Sequence, residues 1–95
     1  MFVVLLRFSS RRDQAAAHMA GHNEWLRCGV DDGVFLLAGS LQPGLGGAIL
    51  AHGVPHDELL QRVQADPFVA AGVVEPEILE ISPGTVDPRL RFLLD

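Results

Sequence analysis

Apolar and polar positions alternate in two distinct ways along this chain. Phe2 to Phe8 is a β-favouring run, apolar but for Arg7, that ends at Ser9 and Ser10, which predicts a strand. From about Arg11 to Val30 the period changes. Ala15, Met19, His22, Leu26 and Val30 recur at three-to-four spacing while Arg12, Asp13, Asn23, Glu24 and Arg27 fall elsewhere, which predicts a helix. Asp31, Asp32 and Gly33 break that helix, and Val34 to Leu41 reads as a second strand ending at Gln42, Pro43 and Gly44. The turn Gly44 to Gly47 leads into a third strand, Ala48 to Ala51, so the two pair as an antiparallel hairpin. Pro55 opens a second helix whose first turn carries Asp57 and Glu58 and whose apolar face is Leu59, Leu60 and Val63. Asp66, Pro67 and Phe68 start a short helical turn, Ile78 to Ile81 forms the last strand, and Pro83 to Asp95 is a tail.

The order β-α-β-β-α-β predicts an α+β, ferredoxin-like protomer: a four-stranded antiparallel sheet with two helices on one face. Those helices shield one side only. Phe2 to Leu6 and Val34 to Leu37 are apolar at both odd and even positions, whereas a sheet with one wet face alternates. The second face is therefore expected to be buried against a copy of itself in a two-fold homodimer.

Composition narrows the class. Ninety-five residues make one domain, 48% hydrophobic and 20% charged, which is enough to fold around a modest core without metals or disulfides. A single cysteine, Cys28, excludes an internal disulfide and a cysteine-based zinc site, and it fits the cytoplasm. The apolar run that starts at Met1 meets Arg7 too soon for a signal sequence or a membrane span. A net charge of -5 with dispersed acids disfavours nucleic-acid partners.

The one constellation that suggests chemistry is His22, on the apolar stripe of the first helix, with Asp66 at the start of a helical turn. A histidine can accept and return a proton near neutral pH, and a carboxylate beside it fixes its tautomer and stabilises the imidazolium. The competing structural roles are a packed helix histidine and an N-cap aspartate. His18 shares a helical side with His22, but a third metal ligand is missing, so no metal is expected. Gly44 to Gly47 lacks the lysine and spacing of a phosphate loop. Arg7 at the end of strand one and Ser40 at the end of strand two are candidate anchors for a substrate, with surface pairing and strand closure as the alternatives. Cys28 reads as buried packing, and Trp25 as a core or interface aromatic.

The opening strand Phe2 to Phe8, the His22 to Leu26 segment, the strand Val34 to Leu41 with Gly39 and Ser40, and above all Asp66-Pro67-Phe68-Val69 resemble the YCII-related (YciI-like) family of dimeric α+β barrels. The resemblance spans nearly the whole chain, with a domain core of about residues 1–82. It implies two ferredoxin-like protomers whose sheets face each other, and a dyad of the helix-one histidine with the aspartate of the DPF motif, here His22 and Asp66. Relatives include a dehydrochlorinase acting on a chlorinated hydroxyhydroquinone, and the wider group includes muconolactone isomerases. The expectation is proton transfer, by elimination or isomerisation, on a small ring-type molecule with no cofactor. Family members often have proline where this chain has Ser40. The alternative is a non-catalytic dimer that binds a metabolite or a protein.

Overall fold

The computed structural model describes residues Met1–Leu94. Asp95, the end of the expected tail, lies outside the described residues. Seven elements build the fold: β1 (Phe2–Phe8), α1 (Ala15–Asp31), β2 (Phe35–Leu41), β3 (Gly46–Ala51), α2 (His56–Gln64), the single-turn α3 (Pro67–Ala70) and β4 (Val74–Glu80). The strands form one antiparallel sheet in the order β2-β3-β1-β4. Short 3-10 turns at Arg12–Gln14 and Pro88–Leu94 precede α1 and fill most of the tail.

The α+β, four-stranded architecture is the one expected, with corrections at the element ends. β4 begins at Val74, four residues before the expected Ile78. Pro76 argues against a strand interior, but β4 is an edge strand paired only to β1, where a missing N–H is tolerated. β3 likewise begins at Gly46 instead of Ala48. The first helix starts as a separate 3-10 turn, and its buried side differs from the expected stripe. Met19 and Val30 are exposed, whereas Trp25 is half-buried and Gly29 buried. The Trp25 ring meets Phe35 edge-on at 5.0 Å, and its indole N–H donates to the Arg62 carbonyl, so the indole anchors α1 over the sheet within one protomer.

Gly29 marks the closest approach of α1 to β2. A Cβ there would overlap the buried Phe35 ring. Gly29→Ala is expected to cost about 1–3 kcal/mol, because a well-packed core resists added volume. Urea unfolding of the variant checks this. The same rotation of α1 puts Cys28 on the solvent side next to Glu24, so it is exposed, not core packing as its sequence position suggested.

The core lies between the helices and one sheet face. Phe2, Val4 and Leu6 of β1, Ile49 and Ala51 of β3, Phe35 of β2, and Leu59, Val63 and Phe68 from the helical layer are all buried. The core helices α1, α2 and α3 leave the opposite face to solvent-exposed side chains. The register aligns Leu37, Leu50, Val3 and Leu79 in a row across all four strands, and of these Leu37 is 56% and Leu79 44% exposed. Among the described residues, no helix is long and apolar enough to cross a membrane.

Candidate functional site

Three local features bring His22 and Asp66 together across forty-four residues. Asp66 follows α2 in an extended conformation and caps α3, its Oδ1 accepting the Phe68 N–H at 3.0 Å. Pro67 fits the first position of that turn, where no amide proton is needed. On α1, Gly21 lets the turn approach: a Cβ there would stand 3.1 Å from Pro67 Cγ. The neighbouring residue His22 then meets the turn side-on.

The contact is short and largely dry. His22 Nδ1 lies 2.8 Å from Asp66 Oδ1, with 12% of the imidazole and none of the carboxylate exposed. A carboxylate only accepts, so Nδ1 carries the donated proton and Nε2 is the remaining ring nitrogen. Oδ1 thus accepts twice, from His22 and from Phe68, while the buried Oδ2 has no partner among the described residues. The Phe68 ring lies parallel to the imidazole, 6° off and 4.0 Å between centroids.

A cavity of about 280 Å³ opens beside this pair, between α1 and the inner sheet face. Its floor is apolar, made by Leu6, Phe8, Ala38, Ile49 and Val74, and His22, Asn23 and Ser40 supply its polar side chains. Among the described residues that line it, only His22 can carry a charge. The volume is just under the roughly 300–1,000 Å³ usual for ligand pockets, which suits a molecule of one ring.

Of the four residues expected at the site, the structure gathers His22 and Ser40 on the cavity and Asp66 behind His22. It does not bring Arg7 there. Arg7 alternates with Leu6 and Phe8, so it points to the other sheet face, where it pairs with Glu77 at 2.6 Å. Asn23 and Phe68 are cavity residues that sequence reasoning gave no role. Phe68 was visible within the DPF motif, but nothing in the sequence aims its ring at His22. Asn23 is polar and adjacent to His22, a pattern shared by most exposed helix positions. His18 lies one turn away, over a shallow cleft with Arg11 and Asp13, and among the described residues no three His, Cys, Asp or Glu side chains group as a metal site.

The solved structures similar to this fold include 5-chloro-2-hydroxyhydroquinone dehydrochlorinase (TftG) from Burkholderia phenoliruptrix AC1100, in complex with 2,5-dihydroxybenzoquinone. The match has a TM-score of 0.70 at 17% identity and covers 88% of this chain and 96% of that one, a likeness of fold. No curated protein matches the sequence. The YCII-related domain matches residues 1–82, the segment that holds the whole sheet, His22, Asp66 and the cavity. The chain therefore belongs to the YCII-related domain family.

Proposed function

We propose that this protein is a small cytoplasmic enzyme that moves a proton on a single-ring organic molecule, with His22 as the base and Asp66 as the group that orients it. The observation that carries this reading is the 2.8 Å contact between Nδ1 and a buried carboxylate at the wall of a one-ring cavity. With Nδ1 committed to Asp66, Nε2 is the nitrogen available to a ligand. It takes a proton from a ring carbon or hydroxyl, and Asp66 stabilises the imidazolium that results. In an elimination the freed electron pair moves into the ring and the leaving group departs with its bonding pair. In an isomerisation the imidazolium returns the proton at another carbon. Ser40 and Asn23 are the side chains that can hydrogen-bond the charge gathering on a ring oxygen. These steps need no cofactor. The fold shared with a dehydrochlorinase that holds a dihydroxybenzoquinone supports the same theme.

Among the described residues that line the cavity there is no arginine or lysine, which sets a preference. Arg7, which could have anchored a carboxylate, faces away. Hydroxylated rings such as hydroquinone are expected to bind at least tenfold more tightly than the matching benzoates, because a buried carboxylate would meet no permanent cation and could pair only with a protonated His22. Calorimetric titration of such pairs measures this directly.

A thermal-shift screen of phenolic rings and 2,5-dihydroxybenzoquinone against wild type and His22→Asn tests the main reading. Asparagine keeps a donor for Asp66 but has no basic nitrogen. Turnover by wild type and its loss in a folded His22→Asn supports the enzyme. Ligand stabilisation equal in both proteins, with no turnover in either, selects the rival reading of a non-catalytic binding module.

The partner proposed for the uncovered sheet face is a second copy of the chain. Leu37, Leu50, Val3 and Leu79 form an apolar band, and the Arg7–Glu77 pair edges it. A two-fold axis through that band buries the same surface on both protomers.

A further inference from the structure

We propose that Phe68 is a positioning residue for His22: its ring fixes the plane of the imidazole and stabilises the imidazolium that forms when Nε2 takes up a proton. The inference rests on the reading of His22 as the base, and it adds a member to that machinery which touches neither proton nor substrate oxygen.

The Asp-Pro-Phe turn contacts the imidazole at its edge and at its face. Asp66 Oδ1 holds one edge of the ring through Nδ1 at 2.8 Å. The Phe68 ring covers one face, parallel within 6° at 4.0 Å. A hydrogen bond at one ring nitrogen leaves the imidazole free to swing about that contact, and a parallel aromatic face removes the swing. Each contact also reinforces the other, because the Phe68 N–H donates to the same Oδ1 that His22 uses. Moving Phe68 therefore disturbs the carboxylate as well as the stack.

The turn that carries Phe68 is held by backbone hydrogen bonds on both sides. The Val73 N–H donates to the Phe68 carbonyl and the Ala70 N–H to the Asp66 carbonyl, both at 2.8 Å. Phe68 itself is 5% exposed. Trp25, the other aromatic near His22, is 5.8 Å away and tilted by 30°, so it does not duplicate the stack.

An aromatic face also changes the balance between the two states of the base. A parallel stack is tolerated by neutral rings, and the π-face attracts a cation placed over it, most strongly where water is excluded. Asp66 and Phe68 thus act on the imidazolium from its edge and its face together. Leucine or methionine at position 68 can fill the space but supplies neither a plane nor a π-face.

The test is read at the imidazole itself. Nitrogen NMR of His22 at alkaline pH, where imidazoles are neutral, reports which ring nitrogen carries the proton. Wild type and Phe68→Tyr are expected to show the Nδ1–H form together with ring-current shifts of the His22 carbon-bound protons. Phe68→Leu and Phe68→Met are expected to lose the ring-current shift and to populate the Nε2–H form. On any ring compound that wild type turns over, Phe68→Leu is expected to lose tenfold or more in kcat with little change in KM, and Phe68→Tyr to restore it. Two non-aromatic variants are made so that one folded protein suffices, as judged by its amide spectrum. Retention of the wild-type tautomer in either folded non-aromatic variant overturns the proposal. If the tautomer shifts as expected while wild type binds and converts no ring compound, the positioning role stands and only the reading of His22 as a base falls.

Discussion

Asp66→Ala is expected to destabilise the protein by about 2–4 kcal/mol: about 1 for the lost cap of α3, and the rest for a His22 N–H left without its acceptor in a nearly dry site. In a chain of this size that is a fall of roughly 10 °C or more in Tm. Asp66→Asn separates structure from chemistry. An asparagine oxygen can still accept from Phe68 and His22, although its NH2 replaces the unpartnered Oδ2, so the variant is expected to lose less stability than Asp66→Ala. Its turnover is nevertheless expected to fall by about 100-fold or more, because a neutral amide stabilises an imidazolium far less than a carboxylate does. Differential scanning calorimetry and an activity assay on both variants check the pair. Comparable activity in Asp66→Asn and wild type would reduce Asp66 to a helix cap.

The second large effect concerns the sheet face opposite α1, α2 and α3. Leu50 lies near the centre of the apolar band, between Val3 of β1 and Leu37 of β2. A stable dimer buries about 1,200–2,000 Å² in total, and a charge at the middle of such a surface is costly to desolvate. Wild type is therefore expected to sediment as a dimer at micromolar concentration, and Leu50→Lys as a folded monomer. A monomeric wild type would contradict the proposed assembly.

The sequence carried the fold in its periods. β1 and the β2–β3 hairpin were legible because apolar runs met Ser, Gly, Pro and Asp boundaries, and α1 because its apolar residues recur at three-to-four spacing. What was not legible depended on packing. The helix period left the roll of α1 open by a fraction of a turn, and the contacts of Trp25 and Gly29 with Phe35 decide it, exposing Met19, Val30 and Cys28. Pro76 hid the start of β4 because the sequence does not say which strand lies at an edge.

The site divides along the same line. His22 and Asp66 were candidates by residue type and by resemblance, and their separation is a tertiary quantity set by the Asp66 cap of α3 and the Gly21–Pro67 approach. Ser40 lies on the cavity, as its place at a strand end allowed. Arg7 shows the opposite case: strand parity puts it on the face away from Leu6, and without knowing which face holds the helices the parity had no sign. The role of Phe68 was illegible because a buried aromatic after a helix cap is ordinary core until its ring is seen against the imidazole.

The most direct test of the central claim follows solvent deuterium entering the ring C–H positions of hydroxylated single-ring compounds, by NMR, in the presence of wild type and of His22→Asn. If His22 is a base held by Asp66, wild type accelerates exchange by about 100-fold or more over the folded variant on at least one compound that it binds. Equal exchange by the two proteins on every compound bound would contradict proton transfer by His22 at a ring carbon.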